Sequence, residues 1–121
     1  MKSIPKNWCS KLLLAGVVAA AFVPAPTRAD VIMDWNTKSD EIAAQKQVLP
    51  LNHSRGTAIL HVAMFEAVNA IEGRYLPYKF NLTADRSTSK EAAAAAAGHD
   101  ILLALYPDQQ STLDATLAAM L

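Results

Sequence analysis

The chain has 121 residues, of which 52% are hydrophobic and 18% are charged, with 11 basic and 11 acidic residues. All 11 acidic residues but only seven basic ones follow residue 29, so residues 30–121 carry a formal charge of −4. An acidic segment without a basic cluster lacks the surface that binds nucleic acid or anionic lipid, which excludes both as main partners. The single cysteine, Cys9, excludes internal disulfides and, for residues 30–121, cysteine-based zinc sites and thiol enzymes.

The first 29 residues have the pattern of a bacterial signal peptide. Three basic residues open it: Lys2, Lys6 and Lys11. An uncharged apolar run follows over residues 12–23, and Thr27-Arg28-Ala29 offers small residues at the positions that a signal peptidase recognises. A run of about 12 residues is shorter than the roughly 20 that a membrane-spanning helix needs, which predicts a cleaved leader and no stable membrane anchor. We therefore expect a periplasmic or secreted protein, cleaved near Ala29, with residues 30–121 as its one helical domain.

Two helices are predicted in the first half of this domain. The first covers roughly Thr37 to Gln47, with Asp34-Trp35-Asn36 leading into it and Leu49-Pro50 ending it. The second has about 20 residues between Pro50 and Gly73, with Asn52 as its N-cap and Gly73 just after its end. Its apolar stripe consists of Leu60, Met64, Ala67, Val68 and Ile71, widened by Ile59, Val62, Ala63 and Ala70. Such a helix needs several neighbours to bury it.

A third helix is predicted after a polar, turn-rich loop over residues 74–87. The alanine run at residues 92–97 favours a helix, since alanine has the highest helix propensity. Thr88 and Glu91 have the spacing of a capping box immediately before that run. The helix should therefore extend from about Ser89 to Leu105, where the following Pro107 stops it.

The last predicted helix begins near Asp108 and continues to the end of the chain without a capping residue. Its apolar side is formed by Leu113, Leu117, Met120 and Leu121. Because that side and the terminal carbonyls have no partner among the predicted helices, we expect the chain to be the front of a longer protein. The expected fold class is all-α, an incomplete helical-bundle segment of about four helices after the signal peptide.

Three polar residues interrupt the apolar second helix, and they could indicate a metal or acid–base site: His61, Glu66 and Asn69. His61 and Glu66 are five residues apart and do not share a helix face. A buried histidine paired with the backbone or with a carboxylate is the preferred interpretation of His61. No metal site is predicted here.

The other two histidines and three aromatic residues have structural interpretations. His53, near a helix start, and His99, beside Asp100, are expected to be structural or solvated, because neither has a second ligand at metal spacing. Three aromatic residues beside turns could line a ligand pocket, but such residues usually anchor loops: Trp35, Tyr75 and Tyr78.

Four segments follow one another along residues 30–121. They are Asp34-Trp35-Asn36, the stretch HVAMFEAVNAI at residues 61–71, Tyr75-Leu76-Pro77-Tyr78, and residues 99–117 with LLALYP and LDATL. Their order and spacing resemble the opening of bacterial exported proteins of the vanadium-dependent haloperoxidase family. That family belongs to the superfamily of the type 2 phosphatidic acid phosphatases. The resemblance implies a mainly helical bundle around an oxyanion pocket that binds vanadate or phosphate.

The family builds this pocket from three motifs in its later half: a lysine ahead of Arg-Pro, a Ser-Gly-His, and a Ser-Arg followed by His and Asp. No proline follows an arginine in this chain, and Gly98-His99 is preceded by Ala97 instead of serine, so the first two motifs are absent. Ser54-Arg55 ahead of His61 imitates the third. However, Ile59 and Phe65 stand where its glycine and aspartate would be. We therefore predict no catalytic, cofactor-binding or metal-binding residue in this chain.

Two functions from different classes follow. In the first, the chain is an N-terminal scaffold of an exported haloperoxidase- or phosphatase-like enzyme, inactive alone, whose partner is the remainder of a longer chain. Vanadate or phosphate would then bind to the full-length protein. In the alternative, the chain is a small exported interaction module that binds a helical partner through apolar faces that it cannot bury itself.

Overall fold

A computed structural model describes residues 30–121, so the predicted signal peptide of residues 1–29 lies outside the described residues. Over the described range the chain forms four α-helices and one turn of 3₁₀ helix, without a β-strand. The helices are α1 (Val31–Gln45), α2 (Pro50–Glu72), α3 (Lys90–Leu105) and α4 (Gln110–Met120), with the 3₁₀ turn at Pro107–Gln109. The all-α prediction is confirmed. No helix of residues 30–121 combines the length and the apolar character that crossing a membrane requires.

α1 begins earlier than predicted. The carboxylate of Asp30 accepts a hydrogen bond from the backbone N–H two residues further on, at 3.0 Å, and so caps the helix. Asp34-Trp35-Asn36 therefore lies inside α1, and the predicted start near Thr37 is wrong. The earlier start places Trp35 on the same helix face as Ile42, and both side chains are buried.

α2 has 23 residues and begins with a proline. Pro50 occupies the first turn, where a missing N–H costs nothing, and Leu49 is the N-cap residue without a side-chain capping bond. The predicted N-cap, Asn52, lies inside the helix, so that prediction is wrong. The predicted end is confirmed, because Gly73 follows the last helical residue with φ 62° and ψ 30°, a left-handed conformation that favours glycine.

α3 is capped one residue later than predicted. The Ser89 hydroxyl accepts a hydrogen bond from the Ala92 N–H at 3.1 Å. The predicted capping box between Thr88 and Glu91 is therefore wrong, since Glu91 is only the second helical residue after this cap. The helix ends immediately before the turn at Pro107, as predicted.

α4 is attached to the bundle mainly through one side chain. The helix was predicted to begin near Asp108, but that residue belongs to the 3₁₀ turn that Pro107 opens. Leu113 is fully buried, and Leu117 and Met120 pack against the core. Leu121, which was predicted on the same apolar side, is 69% exposed.

α3 lies at the centre of the bundle and packs against α1, α2 and α4. Its small residues allow α1 to approach closely, because Gly98 faces Trp35 and an added Cβ would lie 2.4 Å from the indole Cδ1. Trp35 is fully buried, and its Nε1 donates a hydrogen bond to the Ala95 carbonyl at 3.1 Å. The main core cluster consists of Trp35, Ile42, Leu60, Met64, Ala94, Leu102 and Leu113.

Candidate functional site

Two polar side chains near the end of α2 form hydrogen bonds with the backbone of the loop that follows the helix. The amide group of Asn69 donates to the Tyr75 carbonyl and accepts from the Tyr75 N–H, both at 2.9 Å. One turn earlier, the carboxylate of Glu66 accepts a hydrogen bond from the Tyr78 N–H. Glu66 and Asn69, which the sequence offered as metal or acid–base candidates, therefore serve to position the loop.

This anchoring brings loop side chains beside an exposed apolar face of α2. We call the combined patch the α2–loop surface, and its residues are Ile59, Val62, Phe65, Leu76 and Tyr78. The three helical side chains are 36–41% exposed, while Leu76 and Tyr78 are 92% and 76% exposed. A shallow groove runs between the helix and the loop, and its lining residues are His61, Val62, Phe65, Leu76, Pro77 and Tyr78. Apolar patches of this kind mark sites where proteins contact other proteins.

The two faces of α2 have different surroundings. Leu60 and Met64 are buried in the core, whereas Ile59, Val62 and Phe65 project from the opposite side of the helix. The expectation that α2 needs several neighbours is therefore met on one face only within residues 30–121. Beside the exposed face, the rings of Phe65 and Tyr75 lie 5.9 Å apart, so Tyr75 helps to hold the loop in place.

The three residues that imitate an oxyanion motif are held in different ways. The Ser54 hydroxyl donates to the Pro50 carbonyl at 3.0 Å, and the side chain of Arg55 is exposed. His61 Nε2 lies 2.8 Å from the Asn36 Oδ1 on α1. His61 is exposed and its partner is an amide, so the prediction of a buried histidine paired with backbone or carboxylate is wrong. The reason is its position on the flank of α2, between the core face and the exposed face.

His99 lies between two carboxylates at the junction of α3 and α4. Its Nδ1 is 2.9 Å from Asp100 Oδ1, and its Nε2 is 2.8 Å from Asp114 Oδ1. The ring is largely buried, and Trp35 lies beside it with ring centroids 6.4 Å apart. The hydrogen bond to Asp100, opposed by burial and supported by the bond to Asp114, raises the pKa of His99 above its ordinary value of 6.5.

The second carboxylate at His99 could not have been found from the sequence pattern. Asp100 is the next residue along the chain, whereas Asp114 is 15 residues away on another helix. No helical spacing relates the two, because a loop and a 3₁₀ turn separate α3 from α4. The contact depends on how the helices pack.

Two further polar contacts join neighbouring elements. His53 Nε2 lies 2.8 Å from Asp40 Oδ1, which links the start of α2 to α1. The other ring nitrogen of His53 is buried without a hydrogen-bond partner among the described residues. Lys46, just after α1, pairs with Asp108 in the 3₁₀ turn at 2.5 Å. Both contacts join separate elements of the helical bundle.

A wider groove of about 1300 Å³ lies between α1, the start of α3 and α4. Its lining includes Asp34, Lys38 and Glu41 from α1 and the hydroxyl groups of Thr112 and Thr116 from α4. Lys38 pairs with Glu41 at 2.6 Å, which partly neutralises this wall. Within residues 30–121, no three His, Cys, Asp or Glu side chains are grouped so that they could hold a metal ion.

The segments that carry the family resemblance are distributed over the whole described structure. Asp34-Trp35-Asn36 lies in α1, residues 61–71 lie in α2, Tyr75 to Tyr78 lie in the loop, and residues 99–117 cover α3 to α4. Comparison of the chain with protein-family models, with curated proteins and with solved structures finds no match.

Proposed function

We propose that this chain is an exported helical scaffold segment of a haloperoxidase- or phosphatase-like protein. In this proposal, the α2–loop surface packs against helices of the remaining protein. The observation that carries it is the exposed apolar face of α2, where Ile59, Val62 and Phe65 follow one another at helical spacing opposite the buried core face. Full burial of a side chain of this size contributes about 1.5–3 kcal/mol, and these three, which are 36–41% exposed, would gain the remaining fraction of it.

The preorganised loop supports the proposal. The side chains of Asn69 and Glu66 bond to the loop backbone at Tyr75 and Tyr78, so the backbone that carries Leu76 and Tyr78 needs little further ordering when a partner binds. A partner helix could place one apolar ridge in the groove between α2 and the loop. The chain then contributes structure and supplies no catalytic residue.

The resemblance implies vanadate or phosphate for the complete family protein, but Arg55 and His61, which imitate one of its motifs, do not form a site for that anion. Arg55 and His61 are six residues apart, or about 600° around a helix, and so point to different sides. His61 is already paired with Asn36. We therefore place the oxyanion in the part of the family protein that carries the motifs, and assign this chain no step in its chemistry.

The surface can be tested with the protein expressed from its full sequence. The unmodified protein should self-associate and bind a hydrophobic dye such as anilinonaphthalene sulfonate. Replacing Val62→Gln together with Phe65→Gln should reduce dye binding by about half, because it removes the centre of the patch. Light scattering and dye fluorescence measure the two effects.

The matched control is Leu51→Gln, which changes an apolar residue on the same helix that is 82% exposed and lies outside the α2–loop surface. This variant should keep the dye binding and association of the unmodified protein. An equal loss in both variants, or an unmodified protein that is monomeric and binds no dye, would contradict the proposed surface.

The alternative, a small exported interaction module, uses the same surface with a separate helical protein as its partner. Reading the genomic sequence beyond the codon for Leu121 separates the two functions. An in-frame continuation with the lysine and Arg-Pro, Ser-Gly-His, and Ser-Arg with histidine supports the scaffold. A stop codon at that point supports the interaction module.

A further inference from the structure

Both ring nitrogens of His99 face a carboxylate oxygen, and this geometry selects one protonation state. A neutral imidazole has one N–H donor and one lone pair, so it can bond only one of the two carboxylates and repels the other. An imidazolium donates from both nitrogens and satisfies Asp100 and Asp114 together. The observed arrangement is therefore that of the charged histidine.

One of these two carboxylates belongs to the least embedded helix. Asp114 lies on α4, directly after Leu113, which is the one fully buried residue of that helix. The contact between His99 and Asp114 thus sits beside the apolar anchor of α4. Because Asp100 is on the same helix as His99, it stays beside the ring whether or not α4 is in place.

The geometry points to His99 as a pH-dependent latch: the imidazolium helps to hold α4 on α3 through Asp114, and its deprotonation weakens this contact and favours release of α4. Release exposes Leu113 and the apolar side of α4, so the latch controls a second apolar surface, separate from the α2–loop surface. This inference does not depend on the proposed scaffold function.

The charges that act on His99 within residues 30–121 are those of Asp100 on α3 and Asp114 on α4. α1 presents the uncharged Trp35 ring, and neither α2 nor the 3₁₀ turn contributes a charge to the shift. Trp35 covers the His99 ring whether α4 is docked or released. Part of the burial that opposes protonation of His99 is therefore the same in both states. The contact with Asp114 is the part that forms only when α4 is docked.

The sign of the pH dependence follows from the raised pKa of His99. The hydrogen bond to Asp100 raises the pKa of His99 even when α4 is released, and the contact with Asp114 raises it further when α4 is docked. The contribution of the Asp114 contact is therefore fully present below the pKa of the released state and is lost as the pH rises through the higher pKa of the docked state. Docking of α4 should therefore weaken at alkaline pH. The loss is about tenfold in the docking equilibrium for each unit by which docking raises the pKa.

The test is amide hydrogen exchange of the protein expressed from its full sequence, from about pH 5.5 to about 8.5, a range that brackets histidine titration. After correction for intrinsic exchange rates, protection of α4 should fall with rising pH while protection of α2 stays constant. Asp114→Asn, at an exposed carboxylate, should lower α4 protection at the acidic end and flatten its pH profile. Nuclear magnetic resonance titration of His99 gives its pKa in both proteins.

Asp108→Asn is the matched control, because it also neutralises an exposed carboxylate near α4 but breaks the pair with Lys46 instead. This variant should keep the slope of the α4 profile. The latch is overturned if Asp114→Asn retains the slope of the unmodified protein, if His99 titrates at or below 6.5, or if α4 and α2 lose protection together.

Discussion

The contact between Trp35 and Gly98 sets the distance between α1 and α3. The indole is fully buried and its Nε1 is committed to the Ala95 carbonyl, so the ring cannot move without leaving a buried donor unpaired. The absence of a side chain at Gly98 is what makes room for the ring. Gly98 thus has a packing role that its position in an alanine-rich helix does not indicate.

Gly98→Ala should destabilise the fold by up to about 2 kcal/mol, because overpacking a core costs up to about 3 kcal/mol and the gain in helix propensity returns only about 1 kcal/mol. The new Cβ would lie 2.4 Å from Trp35 Cδ1 and 2.6 Å from its Nε1. Urea unfolding followed by circular dichroism measures the change in the free energy of unfolding.

Gly56→Ala is a control with the same chemical change at a buried helical glycine. Its Cβ would lie 3.4 Å from the Cδ1 of Leu105, a side chain that is 38% exposed and free to adjust. This variant should stabilise the fold by about 0.5–1 kcal/mol through helix propensity. Equal effects at the two glycines would show that the indole contact is not what makes Gly98 necessary.

At the scale of the helices, short side chains cap the starts of α1 and α3. Asp30 caps α1 and Ser89 caps α3, in each case by accepting a hydrogen bond from a backbone N–H of the first turn. α2 starts without such a bond, because Pro50 has no N–H to satisfy and its ring already has the φ of a helix. These interactions link residues that are no more than three positions apart in the sequence.

Ser89→Ala should lower the free energy of unfolding by about 1 kcal/mol, since it removes the hydrogen-bond acceptor at the start of α3. Thr88→Ala, one residue earlier, should change the stability by less than about 0.5 kcal/mol, because Thr88 does not cap the helix. Urea unfolding of the two variants measures the difference. A larger loss of stability for Thr88→Ala than for Ser89→Ala would support the capping box between Thr88 and Glu91 instead.

Across the whole molecule, ion pairs at the surface join elements that are distant in sequence. Lys90 at the start of α3 pairs with Glu72 at the end of α2, and Lys46 pairs with Asp108. The hydrogen bond from Lys90, opposed by desolvation, lowers the pKa of Glu72, and the bond from Lys46 does the same for Asp108. Both ion pairs therefore require the carboxylate to be ionised.

Acidification should weaken the fold through these pairs. A carboxylate with a lowered pKa contributes stability above its ordinary value, which is 4.5 for Glu72 and 3.8 for Asp108, and this is lost as the pH falls through the lower folded value. Lys90→Met should return the pKa of Glu72 toward 4.5 and reduce the acid sensitivity of the thermal midpoint. Circular dichroism melts and titration of Glu72 by nuclear magnetic resonance measure both effects.

Lys79→Met provides the comparison for the loss of a positive charge. Lys79 lies over the Phe80 ring at 5.4 Å, away from the pair between α2 and α3. This variant should keep the acid profile of the unmodified protein. An identical profile in the Lys79 and Lys90 variants would mean that the contact with Glu72 contributes no pH dependence.

Much of the fold was predictable because its causes are local. The apolar spacing of α2, the glycine at its end, the alanine run and Pro107 together indicated four helices and most of their boundaries. The errors concern helix starts, where several polar residues compete as caps. Asp30, Leu49 and Ser89 are the N-cap residues, in place of the predicted start near Thr37, Asn52 and Thr88.

The sequence by itself determined the all-α character, the alanine-rich third helix and the left-handed turn at Gly73, since capping, periodicity and backbone freedom act between residues a few positions apart. Only the tertiary structure decided which face of α2 is left exposed, why Gly98 must lack a side chain, and that Asp114 meets His99. All three features depend on the distances and angles at which the helices pack. Many side chains from several helices determine that packing geometry together.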